Sequence, residues 1–102
     1  MTSNTIATLF ETIEARLRSA FAPTFLELKD ESHLHAGHSG AVGGGQHFAL
    51  TLHSAAFADK SLVKRHQLVY TVLHDLMQDT PSAERDRIGY IHALKLQLQI
   101  AI

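Results

Sequence analysis

The chain has 102 residues, a formal net charge of −1, no cysteine, no tryptophan and eight histidines. A length near 100 residues predicts a single domain, which we take as residues 1–102. The missing cysteines exclude a disulfide framework, a thiolate nucleophile and a metal site built from the chain's own thiolates. The charge balance shows no basic footprint of the whole molecule for nucleic acid.

The first predicted element is an amphipathic helix near the N-terminus. Apolar residues recur at helical spacing from Ile6 onwards, and charged residues of both signs occupy the opposite face. Asn4 or Thr5 provides an N-cap, and Pro23 ends the helix and biases Ala22 toward an extended conformation. The mixed charges favour packing against a core over binding to a membrane surface.

Two strands joined by a long glycine-rich loop are predicted next. Residues 24–30 and 48–53 alternate apolar and polar side chains, which is the pattern of half-buried strands. Strands that are adjacent in sequence pair most simply as an antiparallel hairpin. The loop between them runs from about Glu31 to Gln46, and loops of this length in a compact domain are usually functional or disordered.

The second half of the chain predicts two helices and a final strand. Ser61 caps a long helix with an apolar stripe of Leu62, Val69, Val72, Leu73, Leu76 and Met77. Residues 79–82 break this helix, and residues 83–88 predict a short one. Apolar and polar side chains alternate over residues 94–102, which predicts a strand. His92, at the start of this strand, falls on the same face as the leucines in this alternation. The order predicts an α+β fold, a three-stranded sheet with helices on one face.

Histidine is the residue type that points most directly to chemistry. His33, His35 and His38 lie at the start of the glycine-rich loop, His47 closes it, and His92 enters the last strand. His92 approaches the loop if the last strand lies beside the hairpin. Such imidazoles can bind zinc, copper or nickel, or occupy a ligand position on an iron–sulfur cluster. The alternative to ligand binding is that the loop histidines are simply solvated and that His92 is simply hydrogen-bonded at the start of its strand.

A second candidate site is the basic start of the second helix. Lys60, Lys64 and Arg65 form a group of cations that can contact phosphates, with an ordinary solvated helix face as the alternative. The GxxG pattern at residues 37–40 lies between two strands, and we treat it as coincidence. No HExxH, GxSxG, GxGxxG or P-loop motif occurs, so we do not expect an enzyme.

Targeting and membrane signals are not found in the sequence. No basic stretch followed by a continuous apolar run opens the chain. No apolar run approaches the roughly 18 residues of a membrane span. We therefore expect a cytoplasmic protein without a membrane partner.

Over roughly residues 6–100 the chain resembles the BolA-like protein family. The resemblance is carried by HAGH at 35–38, RHQLVY at 65–70 and IHAL at 91–94, in this order and spacing. It implies an αββααβ fold similar to class II K-homology domains. It also implies a monothiol glutaredoxin partner, a bridging 2Fe–2S cluster shared with that partner and glutathione, and a role in iron–sulfur trafficking and iron regulation.

The resemblance also implies which residues fill these roles. His92 of the IHAL motif corresponds to one cluster ligand. The second ligand lies in the loop, where His35 is the first choice and His38 the alternate. Because this chain has no cysteine, the sulfur ligands would come from the glutaredoxin and from glutathione. The free protein is expected to be a monomer or a weak homodimer.

Two alternatives to cluster binding stay open. The family also has a transcription-regulator role, which implies DNA contact through Lys60, Lys64 and Arg65 on the second helix. In the family motifs, a basic residue usually occupies the position of Gln67, and a glycine usually occupies that of Asp59. Both differences reduce the positive charge of the proposed DNA-facing helix. The remaining alternative is that the histidines bind a simple divalent ion such as zinc without any partner.

Overall fold

The computed structural model describes residues 8–31, 45–77 and 90–101. Its helices and strands are, in chain order, α1 (Leu9–Phe21), β1 (Phe25–Asp30), β2 (Gly45–Ser54), α2 (Leu62–Val72) and β3 (Tyr90–Ile100). Single-turn 3₁₀ helices follow β2 and α2, at Ala55–Phe57 and His74–Leu76. The short helix predicted at residues 83–88 lies outside the described residues.

Helix α1 begins later than the apolar spacing predicts. Its N-cap is Thr8, and not Asn4 or Thr5. The Thr8 hydroxyl accepts a hydrogen bond from the Glu11 N–H at 3.1 Å, and the Glu11 carboxylate accepts one from the Thr8 N–H at 2.9 Å. This reciprocal capping box satisfies two amides that would lack intrahelical partners, and so fixes the helix start.

The end of α1 confirms one prediction and corrects another. The helix ends at Phe21, in front of Pro23 as predicted. Ala22, however, is left-handed (φ 43°, ψ 56°) and not extended. Its N–H donates to the Arg18 carbonyl at 3.1 Å, so the left-handed turn satisfies one of the last carbonyls of the helix.

The three strands form one mixed sheet in the order β1–β2–β3. Strands β1 and β2 are antiparallel, with Leu28 opposite Leu50, which confirms the predicted hairpin. Strand β3 runs parallel to β2 on its other side, with Leu96 opposite Leu50. Parallel neighbours need a long crossover connection, and α2 lies within it.

The helices pack on one face of this sheet. The buried side chains on that face are Leu28, Phe48, Leu50, Leu52 and Leu98 from the strands and Leu9, Ile13, Leu17, Phe21 and Val69 from the helices. On the opposite face Glu27, Lys29, Lys95 and Gln97 are exposed to solvent. This one-sided burial confirms the predicted α+β architecture.

The predicted apolar stripe of the second helix is correct only in part. Ser61 caps α2 as predicted, its hydroxyl accepting the Lys64 N–H at 3.1 Å. Val69 is the residue of α2 that is fully buried, and the core continues past the end of the helix in Leu73 and Leu76. Leu62 is 62% exposed, because the first turn of α2 contributes nothing to this core.

One buried polar residue ties α1 to the sheet. Ser54, the last residue of β2, is inaccessible to solvent. Its hydroxyl donates to the Phe21 carbonyl at 2.6 Å and accepts the Ala56 N–H at 3.0 Å. Both partners are backbone groups at the ends of elements, where secondary structure leaves them unpaired.

Candidate functional site

His92 lies at an irregularity in the pairing of β2 with β3. Gln46 pairs with Ile91, whereas the next residue, His47, pairs with Ala93. One extra residue of β3, His92, is therefore inserted between two pairs, as in a β-bulge. Bulges locally redirect side chains. Strict alternation placed His92 on the face of the leucines, and this bulge makes that prediction wrong.

The bulge places the His92 ring against the ring of His47 on the neighbouring strand. The two ring centroids are 5.0 Å apart and the ring planes are inclined by 57°. His47 alternates with the buried Phe48, so the pair lies on the face of the sheet that the helices leave open. Both side chains are half-buried, and the Nε2 atom of His47 is buried. A neutral imidazole is a metal ligand, so two adjacent strands bring two such ligands together.

The same end of the sheet anchors the glycine-rich loop. Glu31 follows β1, and its N–H donates to the His47 carbonyl at 2.8 Å. Gly45 begins β2, two residues before His47. The described residues on either side of segment 32–44 therefore lie within a few residues of the His47–His92 pair.

The structure locates one of the three predicted cluster ligands. His92 is described, whereas His35 and His38 lie outside the described residues. Within the described part of the chain, no three His, Asp or Glu side chains converge as a self-contained metal site would require. His47, which the sequence shows only as the residue closing the loop, is the histidine that contacts His92. Residue alternation could not reveal this contact, because it depends on a parallel pairing and a bulge.

The donor chemistry of this site fits a shared iron–sulfur cluster. The whole chain lacks cysteine, so it supplies imidazole nitrogen and no thiolate. Imidazoles replace two thiolates on one iron of Rieske centres, which shows that a 2Fe–2S cluster accepts mixed ligands. A cluster held here would need its sulfur ligands from another molecule.

The three predicted DNA-contacting cations occupy different environments. The guanidinium of Arg65 is partly buried, donating from Nε to the Lys60 carbonyl at 3.0 Å and from Nη1 to the Leu98 carbonyl at 3.1 Å. These bonds connect the start of α2 to the end of β3. Lys64 is exposed on the first turn of α2, and Lys60 is half-buried just before it. Arg65 therefore contributes to the fold, and Lys64 is the most accessible of the three.

The outer face of α2 is apolar and not uniformly basic. Leu62 and Val63 are 62% and 68% exposed, and Tyr70 is exposed about two turns further along. They line a shallow cleft of about 390 Å³ together with His66 and Gln67. A surface that binds phosphates with a helix face normally carries a continuous row of cations, which this face lacks.

Neither described helix could cross a membrane. Helix α1 has 13 residues and α2 has 11, whereas a span needs about 20 predominantly apolar residues. Names of related proteins include chloroplastic and mitochondrial ones, so the predicted cytoplasmic location stays a prediction.

Comparison with known sequences connects the chain to one family. The family described as BolA-like protein matches residues 17–101. The DNA-binding transcriptional regulator BolA of Escherichia coli is 37% identical over 73 residues, covering 72% of this chain and 67% of that protein. SufE-like protein 1 (chloroplastic/mitochondrial) of Arabidopsis thaliana is 44% identical over 68 residues, covering 62% of this chain but only 18% of that much longer protein.

Solved structures agree with this connection. The BolA domain of SufE1 from Arabidopsis thaliana superposes with a TM-score of 0.70 at 34% identity, covering 94% of this chain and 95% of that chain. BolA1 from Arabidopsis thaliana superposes with a TM-score of 0.71 at 30% identity and the same coverage. The arrangement of helices and mixed sheet is thus one found in solved BolA domains.

Proposed function

The chain belongs to the BolA-like protein family, and from this membership we propose that it binds a monothiol glutaredoxin and co-ligates a bridging 2Fe–2S cluster. His92 and one loop histidine, His35 or His38, supply the nitrogen ligands. The cysteine of the partner and glutathione supply the sulfur ligands. The protein thereby acts as a binding partner in iron–sulfur trafficking and iron regulation, and not as an enzyme.

The position of His92 is the observation that carries this proposal. The bulge releases His92 from the regular ladder, on the open face of the sheet and beside the anchors of the loop. A ligand on the sheet is held in place before the partner arrives, so little conformational entropy is lost there on docking. The proposed ligand set thus contains one histidine that the sheet preorganises.

Mixed ligation has chemical consequences for the shared cluster. Neutral imidazoles in place of thiolates lower the negative charge around the iron, and they raise its reduction potential in Rieske centres. Imidazole must lose its proton to bind, so acid favours release. A cluster shared between two proteins is also lost when they separate. These properties suit transfer or sensing better than permanent storage.

Reconstitution with a monothiol glutaredoxin tests the proposal. The protein, the glutaredoxin, iron, sulfide and glutathione are mixed, and visible absorption and circular dichroism record the mixed complex. We expect His92→Ala to change or abolish the spectrum of that complex, and the exposed His74→Ala to leave it unchanged. A wild-type spectrum from His92→Ala would overturn the proposal. His35→Ala and His38→Ala, compared in the same assay, identify the loop ligand.

DNA binding is the second candidate function. It is favoured by the names of relatives in Escherichia coli and Haemophilus influenzae, both called DNA-binding transcriptional regulator BolA. Lys64 and Lys60 at the start of α2 are the cations available for phosphate contacts. DNA binding through them predicts an affinity whose logarithm falls linearly with the logarithm of salt concentration, and a shallower slope in Lys64→Ala. An affinity that does not respond to salt excludes this function.

A further inference from the structure

We propose that the outer face of α2 is a homodimer interface, on which a second copy of this chain packs its own α2 in the antiparallel direction. The face consists of Leu62, Val63, His66, Gln67 and Tyr70, and we call it the α2 stripe. Contiguous exposed apolar side chains rimmed by polar residues mark interaction sites. This interface goes beyond cluster binding, because it needs neither a glutaredoxin nor a metal.

The apolar side chains of the α2 stripe are left exposed by the fold of the chain. Leu62, Val63 and Tyr70 are all exposed, whereas the core takes Val69 from another side of the same helix. Burial of such side chains against a second molecule removes apolar surface from water, which is the main driving force of protein association. The stripe therefore gains from being covered.

Tyr70 forms a ridge between two shallow clefts along α2. The cleft of about 390 Å³ lies on one side of it, and a cleft of about 440 Å³ lies on the other, toward Lys64 and His74. Tyr70 and Gln67 border both clefts. Helices pack by inserting side-chain ridges of one into grooves of the other. A Tyr70 ridge thus fits the cleft beside Val63 of a second copy.

The order of side chains along the α2 stripe matches its own image under a two-fold axis. Val63 and Tyr70 are seven positions apart, so they lie on nearly the same line of the helix, on either side of His66. An antiparallel copy with the axis at His66 puts Val63 of each molecule against Tyr70 of the other. This repetition of one contact is what a two-fold interface requires.

The polar groups of the α2 stripe also suit a second copy. None of its five residues carries a permanent charge, so the stripe offers no lasting ion pair to a phosphate or a carboxylate. Nδ1 of His66 lies 2.7 Å from the Leu62 carbonyl and donates to it, because a carbonyl only accepts. Nε2 of the neutral ring is then an acceptor, and the amide of Gln67 on the second copy provides a donor near the axis.

The length of α2 limits the strength of this dimer. Helix α2 has 11 residues and is therefore about 16 Å long. A contact along one face of so short a helix buries less than the roughly 800 Å² per partner of a standard stable interface. The dimer is therefore weak and reversible, and it forms at high protein concentration.

Sedimentation equilibrium of the full chain across roughly 10 μM to 1 mM tests the interface, because weak complexes dissociate in this range. The average mass of the wild type should rise from that of a monomer toward that of a dimer. Val63→Glu should weaken dimerisation about tenfold or more, because it buries an unpaired charge. The variant should fold, since an acidic residue is favourable in the first turn of a helix. Gln97→Glu, which adds the same charge on the open face of the sheet, is the matched control and should dimerise as the wild type does.

Mixing two variants tests the antiparallel geometry. Tyr70→Lys should be as monomeric as Val63→Glu. In a mixed dimer, the new carboxylate at position 63 faces the new ammonium at position 70, and the second contact keeps its wild-type side chains. The mixture should therefore associate about tenfold or more tightly than either variant alone.

Three results would overturn this proposal: a wild type that stays monomeric throughout the range, wild-type dimerisation of Val63→Glu, and no recovery in the mixture. Far-UV circular dichroism establishes that each variant is folded. Amide NMR shifts of the wild type need no variant, and dilution must move those of α2 and not those of the open face of the sheet. No glutaredoxin or iron is present, so a failure of the proposed cluster binding leaves these outcomes unaffected.

Discussion

The guanidinium of Arg65 donates to the carbonyls of Lys60 and Leu98 and so joins the start of α2 to β3. Hydrogen bonds from a charged donor contribute about 1.5–3 kcal/mol each when their partners are buried, and less at the partly exposed position found here. Lysine cannot reproduce both bonds, because it lacks the planar fork of arginine. In the sequence alone, Arg65 is indistinguishable from its neighbour Lys64 as a candidate for phosphate binding.

Substitution separates the roles of these two cations. We expect Arg65→Lys to lower the free energy of unfolding by about 1–2 kcal/mol, although the charge is kept. The exposed Lys64→Ala should change it by less than about 0.5 kcal/mol. Urea titration followed by circular dichroism measures both variants. Equal stabilities of Arg65→Lys and the wild type would contradict the structural role of the guanidinium, and Lys64→Ala is the cleaner probe of DNA contact.

At the scale of elements, an ion pair joins α1 to the chain that follows α2. The guanidinium of Arg16 contacts both carboxylate oxygens of Asp75, with Nη2 2.9 Å from Oδ2, and Nη1 also donates to the Val72 carbonyl at 3.4 Å. The hydrogen bonds from Arg16 hold the pKa of Asp75 below its ordinary value of 3.8, against the opposing effect of burial. This pair therefore stabilises the fold only while Asp75 is ionised.

The sign of the pKa change predicts how stability depends on pH. A carboxyl group with a lowered folded-state pKa contributes stability above its unfolded-state pKa and loses that contribution as pH falls through the folded-state value. Because both side chains are partly exposed, we expect Asp75→Asn to cost at most about 1 kcal/mol near pH 7. Acid should progressively narrow the difference from the wild type below about pH 4.

Urea unfolding at a neutral and at an acidic pH measures this effect. Glu14→Gln is the control, because Glu14 pairs with Arg18 at 3.3 Å on the exposed surface of α1. Its effect should be small at both pH values. A stability difference between Asp75→Asn and the wild type that grows in acid would contradict the assigned role of the ion pair.

Helices and strands could be predicted where their sequence signals, such as alternation and capping residues, are local. Alternation located all three strands, and Ser61 was recognisable as the cap of α2. The start of α1 was readable too, since Thr8 and Glu11 have the spacing of a capping box, a more specific signal than the apolar periodicity used to place it. The exposure of Leu62 was not readable, because it depends on where the core ends.

At the scale of the whole molecule, the site depends on relations between distant segments. Motif resemblance singled out His92, and the composition predicts that a cluster bound there takes its sulfur ligands from another molecule. The contact of His92 with His47 required the parallel direction of β3 and the position of the bulge, neither of which alternation encodes. The hairpin then anchors the loop at the same end of the sheet. The fold class was therefore predictable from local patterns, whereas the contact between the His92 and His47 side chains was not.

Replacing residues 33–44 with a short glycine–serine linker tests this organisation in one molecule. Glu31 and His47 are already joined by a backbone hydrogen bond, so the ends of the loop lie close enough for a short connection. A shorter loop has a smaller closure entropy, and the free energy of unfolding should stay the same or rise by at most about 1 kcal/mol. Urea unfolding measures this value.

Cluster assembly measures the second effect of the shortened loop. The proposed shared cluster loses its loop histidine, so the spectrum of the mixed complex with a glutaredoxin should be lost or changed. A wild-type cluster spectrum from the folded, shortened protein would contradict the assignment of His35 or His38 as a ligand.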